Sequence, residues 1–326
     1  MLRSPLVPRI QRHAPRRPHP NDWGLNMTVC VAGIAAKRSA IIAVSDRRLT
    51  YSSIAADVDT VEKAVTIHRS WVAMFSGNDI GNVTPILDRV RIKLAEIEAS
   101  GKKIGRVDVA REFRGAYRAH HRTIIEERVL APYDLSVRRF QERGFTELGS
   151  VAFDELRHAV ESTKVDCDFL VCGFSDDGPQ IFVISDQGLS YYDKIGYWAI
   201  GSGQWSALSS LAFRKFHLGL SFEEALYQVL EAKFMADATD PSVGKGTYTL
   251  VIRRDGRIGQ VAGDEVERVR DIWRDEGQPR TPPNLSVRMP AVLFSAKPTE
   301  PASTRPAPQG QKSPKHGQSG RTPSRA

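Results

Sequence analysis

The chain has 326 residues, 41% of them hydrophobic, and a formal charge of +8, which suits one fairly large α/β domain or two small ones. The charge sits at the ends: residues 1–26 hold five arginines against Asp22 and residues 297–326 hold six lysines or arginines against Glu300, leaving the middle close to neutral. No apolar run approaches the roughly 18 residues of a membrane span; the three cysteines form no disulfide framework; and Cys167 and Cys172 are too few and wrongly spaced for zinc, so a soluble chain in a reducing compartment, by default the cytoplasm, is expected.

Residues 1–26 carry Pro5, Pro8, Pro15, Pro18 and Pro20 among their arginines and no apolar stretch like that of a secretory signal. They read as an unfolded basic extension: a propeptide, a targeting arm, or a stretch upstream of the true start. The last is preferred, because Met27-Thr28 looks like an ordinary start followed by a small residue. Val29, Val31 and Ile34, then Ala40 to Val44, read as two strands joined at Ala36 to Ser39, apolar enough to be buried on both faces. Val65 to Ile67 and Trp71 to Phe75 are the next strands, ending at Ser76-Gly77-Asn78.

Thr84-Pro85 starts a helix striped by Ile86, Val90, Leu94 and Ile97, and a second runs from about Asp108 with Phe113, Tyr117, Ile124 and Ile125 inward. Residues 131–149 give no clear signal, and Phe153, Leu156 and Val160 suggest a shorter helix. Strands return at Phe169–Phe174, Ile181–Ser185, Leu189–Tyr192 and Tyr197–Ile200, which read together as a second antiparallel sheet. A helix follows Gly201-Ser202-Gly203, and Ser221 with Glu224 forms a capping box before another. Thr247–Ile252 and Ile258–Val261 close the domain as a hairpin around Asp255-Gly256. Residues 266–326 are expected to be a mostly disordered basic tail, so the folded domain spans 27–265. Strands, helices, strands, helices, strands pack most simply as an α+β fold, a four-layer αββα sandwich with two antiparallel sheets between helix layers.

Thr28 is ordinarily just a β-branched strand residue. Freed of Met27, it would carry a hydroxyl and an α-amine of reference pKa about 7.7 to 8.0, against about 10.4 for lysine, so the nucleophile would hold its own base. The surrounding segments are Met27-Thr28-Val29-Cys30-Val31, Ala43-Val44-Ser45-Asp46-Arg47-Arg48, Thr60-Val61-Glu62-Lys63 with Ala64 to Ile67, Phe75-Ser76-Gly77-Asn78, Gly201-Ser202-Gly203 and Asp240-Pro241-Ser242-Val243-Gly244. In that order, over about residues 28–261, the chain resembles the proteasome β-subunit group of N-terminal nucleophile hydrolases, including the bacterial two-ring peptidases.

The resemblance implies a role for each position. Thr28 would be the nucleophile, with Asp46 and Lys63 the buried acid and lysine beside it; the lysine would lower the amine's proton affinity while the aspartate orients the lysine. Gly77 would give a backbone N–H to the oxyanion, Ser202 would approach the terminal amine, and Asp240 with Ser242 would complete its network and place a water. A gap-free count back from Asp46 puts Cys30 in the nucleophile register, so Thr28 requires a first hairpin two residues longer than is usual. Thr28 is preferred because Met27 offers a simple processing route, whereas Cys30 needs cleavage after Val29. The spacing from Asp46 to Lys63 and from Asp240 to Ser242 also departs from the family pattern.

The expected function is a threonine-type peptidase or amidohydrolase acting on a peptide or protein through an acyl-enzyme at Thr28, with neither metal nor organic cofactor. The resemblance adds ring-forming self-association and an ATP-driven unfoldase as partners. The rival is a catalytically inactive scaffold subunit of the same kind. Binding of nucleic acid by the basic tails is the weakest alternative, and His120 and His121 are expected to pack helices rather than bind metal.

Overall fold

The computed structural model describes residues 28–51, 54–58, 61–77 and 80–279. The extension over residues 1–27 and the tail beyond 279, with the disorder expected of both, lie outside the described residues. The strands β1 (Cys30–Ala35) and β2 (Ala40–Asp46) are buried at every position. Their side chains divide by period two. Val31, Ala35, Ile42 and Val44 meet a helix layer, whereas Cys30, Ala32, Ile34, Ile41 and Ala43 meet the opposite sheet. This two-sided burial explains why these strands lack polar alternation.

After β2 come a hairpin of β3 (Leu49–Tyr51) with β4 (Ile54–Val58), then β5 (Ala64–His68) and β6 (Trp71–Gly77). Helices α1 (Val83–Ala99), α2 (Arg106–Ile124) and α3 (Val137–Ser162) lead to β7 (Cys167–Ser175), β8 (Gly178–Ser185), β9 (Gly188–Tyr191) and β10 (Tyr197–Ile200). The chain continues through α4 (Gln204–Phe213), α5 (Phe222–Thr239), β11 (Thr247–Arg253), β12 (Ile258–Gln260) and α6 (Gly263–Ile272). The result is an α+β sandwich of two antiparallel five-stranded sheets, ordered β10-β1-β2-β11-β12 and β5-β6-β7-β8-β9. One core lies between the sheets, a second between the first sheet and α4, α5 and α6, and a third between the second sheet and α1 and α2.

Three expectations change. The strands over 169–200 do not form one sheet: β10 pairs with β1, Cys30 opposite Ile200, while β5 and β6 join β7 to β9. Chain order favours neighbours, but the N–H of Ile34 reaches Gly196 O at 2.7 Å and draws the following strand to the edge of β1. Residues 137–162 are helical apart from a break at Gly149 (φ 76°); Phe140 and Leu156 pack on Ile125 and Leu130 in a small separate core. Few and scattered among arginines and glutamates, these apolar residues are hard to read as a stripe.

The third change concerns the boundary at residue 265. Helix α6 carries Val266 into the core, and Trp273, in the helical turn that follows, is 4% exposed with its ring 5.6 Å from that of Phe234. The folded unit therefore runs to residue 278, where the apolar spacing of Val266, Val269 and Trp273 ends. Trp273→Ala is expected to lower stability by about 3–5 kcal/mol, as for other buried aromatics, in urea denaturation. A loss below about 1 kcal/mol would show that residues 266–278 are dispensable to the core.

Candidate active site

Antiparallel pairing sets the first contact. Because Cys30 faces Ser45, the residues before β1 run beside the end of β2; Asp46 N–H donates to Val29 O at 3.1 Å and Val29 N–H to Asp46 Oδ1 at 3.1 Å. Lys63 enters from the opposite sheet, just ahead of β5. Its Nζ lies 2.9 and 3.1 Å from the two oxygens of Asp46 and also donates to Thr28 Oγ1. The side chains of Lys63 and Asp46 are 2% and 0% exposed. Asp46 Oδ2 further accepts the N–H groups of Arg48 and Gly244, each at 3.2 Å. A carboxylate so surrounded has most of its lost hydration replaced, and removing either charge would leave the other uncompensated at a cost of about 3–5 kcal/mol.

A second group of residues cradles the backbone of Thr28. Gly203 N–H donates to Thr28 O at 3.3 Å, with Ser202 Oγ at 3.5 Å from the same oxygen. Gly201 takes φ +93°, and a Cβ there would lie 2.1 Å from Thr28 O, so only glycine fits. Ser202 Oγ is 3.1 Å from Ser242 Oγ; Ser242 donates its N–H to Asp240 Oδ1 at 2.9 Å and its hydroxyl to the same atom. Partial burial pushes the Asp240 carboxyl up, but hydrogen bonds from Ser242 and Ser202 outweigh it and hold the group below the usual carboxylate range.

Gly77 ends β6 against the start of β7, where a Cβ would meet Asp166 O at 2.5 Å and Cys167 Cα at 2.7 Å. Phe75 N–H donates to Lys63 O at 3.1 Å. Strand N–H groups alternate in direction, so that of Gly77 also faces the side from which Lys63 enters, beyond the first residue of β5. Cys30, the rival nucleophile, has no exposed surface; its Sγ donates to Phe75 O at 3.4 Å, and burial pushes its thiol well up. Thr28 thus meets Lys63 through its hydroxyl, while Cys30 points into the core between the sheets.

Thr28, Asp46 and Lys63 form one cluster, and Ser202, Asp240 and Ser242 form a second that meets it at the Thr28 carbonyl. Gly203 and Gly244, whose N–H groups complete these clusters, lie within the segments that carry the resemblance, but it gives a donor role to Gly77 and none to them, and a backbone donor leaves no side-chain signature. Lys233 is a further omission: it is buried in α5 and bonded to Gly244 O at 2.7 Å, but in sequence it is one lysine among many. His120 bonds Asn82 at 3.0 Å and His121 bonds Thr163 O at 2.8 Å, both tying helices to neighbouring segments. Among the described residues no group of three or more His, Cys, Asp or Glu is placed to hold a metal ion, and no described helix is long and apolar enough to cross a membrane. No protein-family model matches the chain, and no curated protein matches it either.

The edge of the site beside Gly77 is acidic. Burial, with Asp186 and Asp166 adding repulsion, pushes the Asp168 carboxyl up to about 6. A folded-state pKa above the unfolded value means that this group's stabilising effect is complete below about pH 4 and is lost as pH rises through about 6. Asp168→Asn is therefore expected to raise stability by roughly 1–3 kcal/mol at pH 7 and to change it little below pH 4. Urea denaturation at both pH values checks this; equal shifts at the two would contradict it.

Proposed function

We propose that this chain is a threonine-type peptidase or amidohydrolase of the N-terminal nucleophile class, similar to proteasome β-subunits, with Thr28 as its nucleophile. The observation that carries this reading is a single buried lysine, Lys63, that bonds both the Thr28 hydroxyl and the Asp46 carboxylate. A structural ion pair has no need of a threonine hydroxyl, nor of a glycine turn folded around that threonine's carbonyl. The four-layer order of helices, sheets and helices agrees with such a hydrolase fold.

In the full chain the nitrogen of Thr28 is tied up in the peptide bond to Met27. Cleavage of that bond would free an amine able to take the hydroxyl proton as Thr28 Oγ1 attacks the carbonyl carbon of an amide. The positive charge of Lys63 would stabilise the developing alkoxide and disfavour a second cation at the amine. The Gly77 N–H would stabilise the oxyanion of the tetrahedral intermediate. Its collapse would break the C–N bond as the α-amine returns the proton to the leaving nitrogen, giving an ester on Thr28. Water, deprotonated by the same amine, would then attack the ester and restore the hydroxyl. Ser202, Ser242 and Asp240 would order the amine and this water. Enclosure in a ring, and delivery of substrate by an ATP-driven unfoldase, follow from the same resemblance.

The test compares variants of a chain beginning at Thr28 on a panel of fluorogenic peptide amides. Thr28→Ala and Lys63→Ala are each expected to lower kcat/KM by about 10³-fold or more, while Cys30→Ala stays near the wild-type rate. Undiminished hydrolysis by Thr28→Ala, or its loss in Cys30→Ala with the fold intact, would contradict the assignment.

A further inference from the structure

Lys233 and the residues around it form a buried charge network that takes no direct part in the chemistry above. Lys233, with no exposed surface, lies in α5. Its Nζ donates to Asp237 Oδ2 at 2.8 Å, Gly244 O at 2.7 Å and Lys245 O at 2.9 Å, the full donor capacity of an ammonium group. Arg270 of α6 reaches Asp237 Oδ2 at 2.9 Å, Lys245 O at 2.8 Å and Thr247 Oγ1 at 3.1 Å, with its guanidinium 4.2 Å from the centre of the Phe234 ring. Two cations and one carboxylate thus grip the carbonyls of a short segment between α5 and β11. Burying a lysine is costly, and burial draws the Lys233 ammonium below its usual range despite Asp237. Two backbone carbonyls could be satisfied by water at far smaller cost.

That segment also serves the site. Gly244 is held on both sides, its C=O by Lys233 and its N–H by Asp46 Oδ2. It packs closely on Arg48, just past β2: a Cβ on Gly244 would lie 2.4 Å from Arg48 Cβ, so a larger residue does not fit there. Arg48 gives its own N–H to the same oxygen of Asp46, and its Nη1 holds Pro241 O at 2.8 Å. Asp240 and Ser242 lie on the same stretch.

We infer that Lys233, braced by Asp237 and Arg270, is a positioning residue: through Gly244 it fixes the Asp46 carboxylate and, through that, the Lys63 ammonium against the Thr28 hydroxyl. This rests on the proposed role of Thr28 for its catalytic consequence, but not for its structural one. A misplacement of about 1 Å at a remote support costs about 10²-fold in rate, whereas a residue that only stabilises the fold would leave the turnover of folded protein unchanged.

The test uses Lys233→Met, which keeps the stem and removes the charge. In protein matured to Thr28, kcat is expected to fall about 10²-fold with KM within about twofold. In the full chain, amide hydrogen exchange at Gly244 is expected to be at least about tenfold faster, with the β5 to β9 sheet unchanged. Wild-type kcat, or wild-type exchange at Gly244, would overturn the inference. Should Lys233→Met fail to fold, Asp237→Asn decides: it is expected to loosen the Gly244 amide and lower kcat about tenfold, and wild-type behaviour in either respect would overturn the inference. If wild-type protein beginning at Thr28 hydrolyses nothing, the peptidase reading falls, and exchange at Gly244 alone decides whether Lys233 positions Asp46.

Discussion

Two opposite charges removed from water, Asp46 at the end of β2 and Lys63 ahead of β5, set the terms for one end of this molecule. Such a pair survives only where hydrogen bonds replace the lost hydration. The replacements are specific: the N–H groups of Val29, Arg48 and Gly244 on the carboxylate, and the hydroxyl of Thr28 on the ammonium. They come from three stretches of chain, residues 28–29, the turn after β2 at Arg48, and Gly244, so the pair dictates where these stretches meet the segment that carries Lys63. It also bridges the sheets, since its partners belong to opposite layers of the sandwich.

The rest of the fold supplies the rigidity that such an arrangement requires. Cores on both faces of each sheet leave β1 and β2 little room to shift. The turn Gly201–Gly203, which joins β10 to α4, closes on the carbonyl of Thr28, and the stretch after α5 closes on Asp46. A hydroxyl held in this way faces an ammonium without solvent between them, where electrostatic effects are stronger than at the surface.

Much of this was legible in the sequence where the physics is local. Buried strands announced themselves as apolar runs, the capping box at Ser221 and Glu224 marked the start of α5, and Asp255-Gly256 marked the last hairpin. The grouping of Thr28, Asp46 and Lys63 was legible only through the family resemblance, because nothing in residue spacing alone brings position 63 to position 28. The partner of β10 is not legible in the sequence, since hydrogen bonding across a sheet depends on which edges are open. The Gly77 donor is legible only through the same resemblance, and the N–H groups of Gly203 and Gly244 and the Lys233 network are not legible at all, because a glycine N–H or a buried lysine acquires meaning only from what stands opposite. The helix from Gly263 was lost to the basic, proline-rich composition of the residues that follow it.

We propose the hydroxyl of Thr28 as the reactive group. The most direct test is to treat protein matured to Thr28 with an electrophile that captures N-terminal threonine, such as a peptide epoxyketone, and to map the adduct by mass spectrometry of peptides. A single adduct on Thr28, absent from Lys63→Ala, is expected. An adduct on Cys30, or none on a folded chain whose first residue is Thr28, would contradict it.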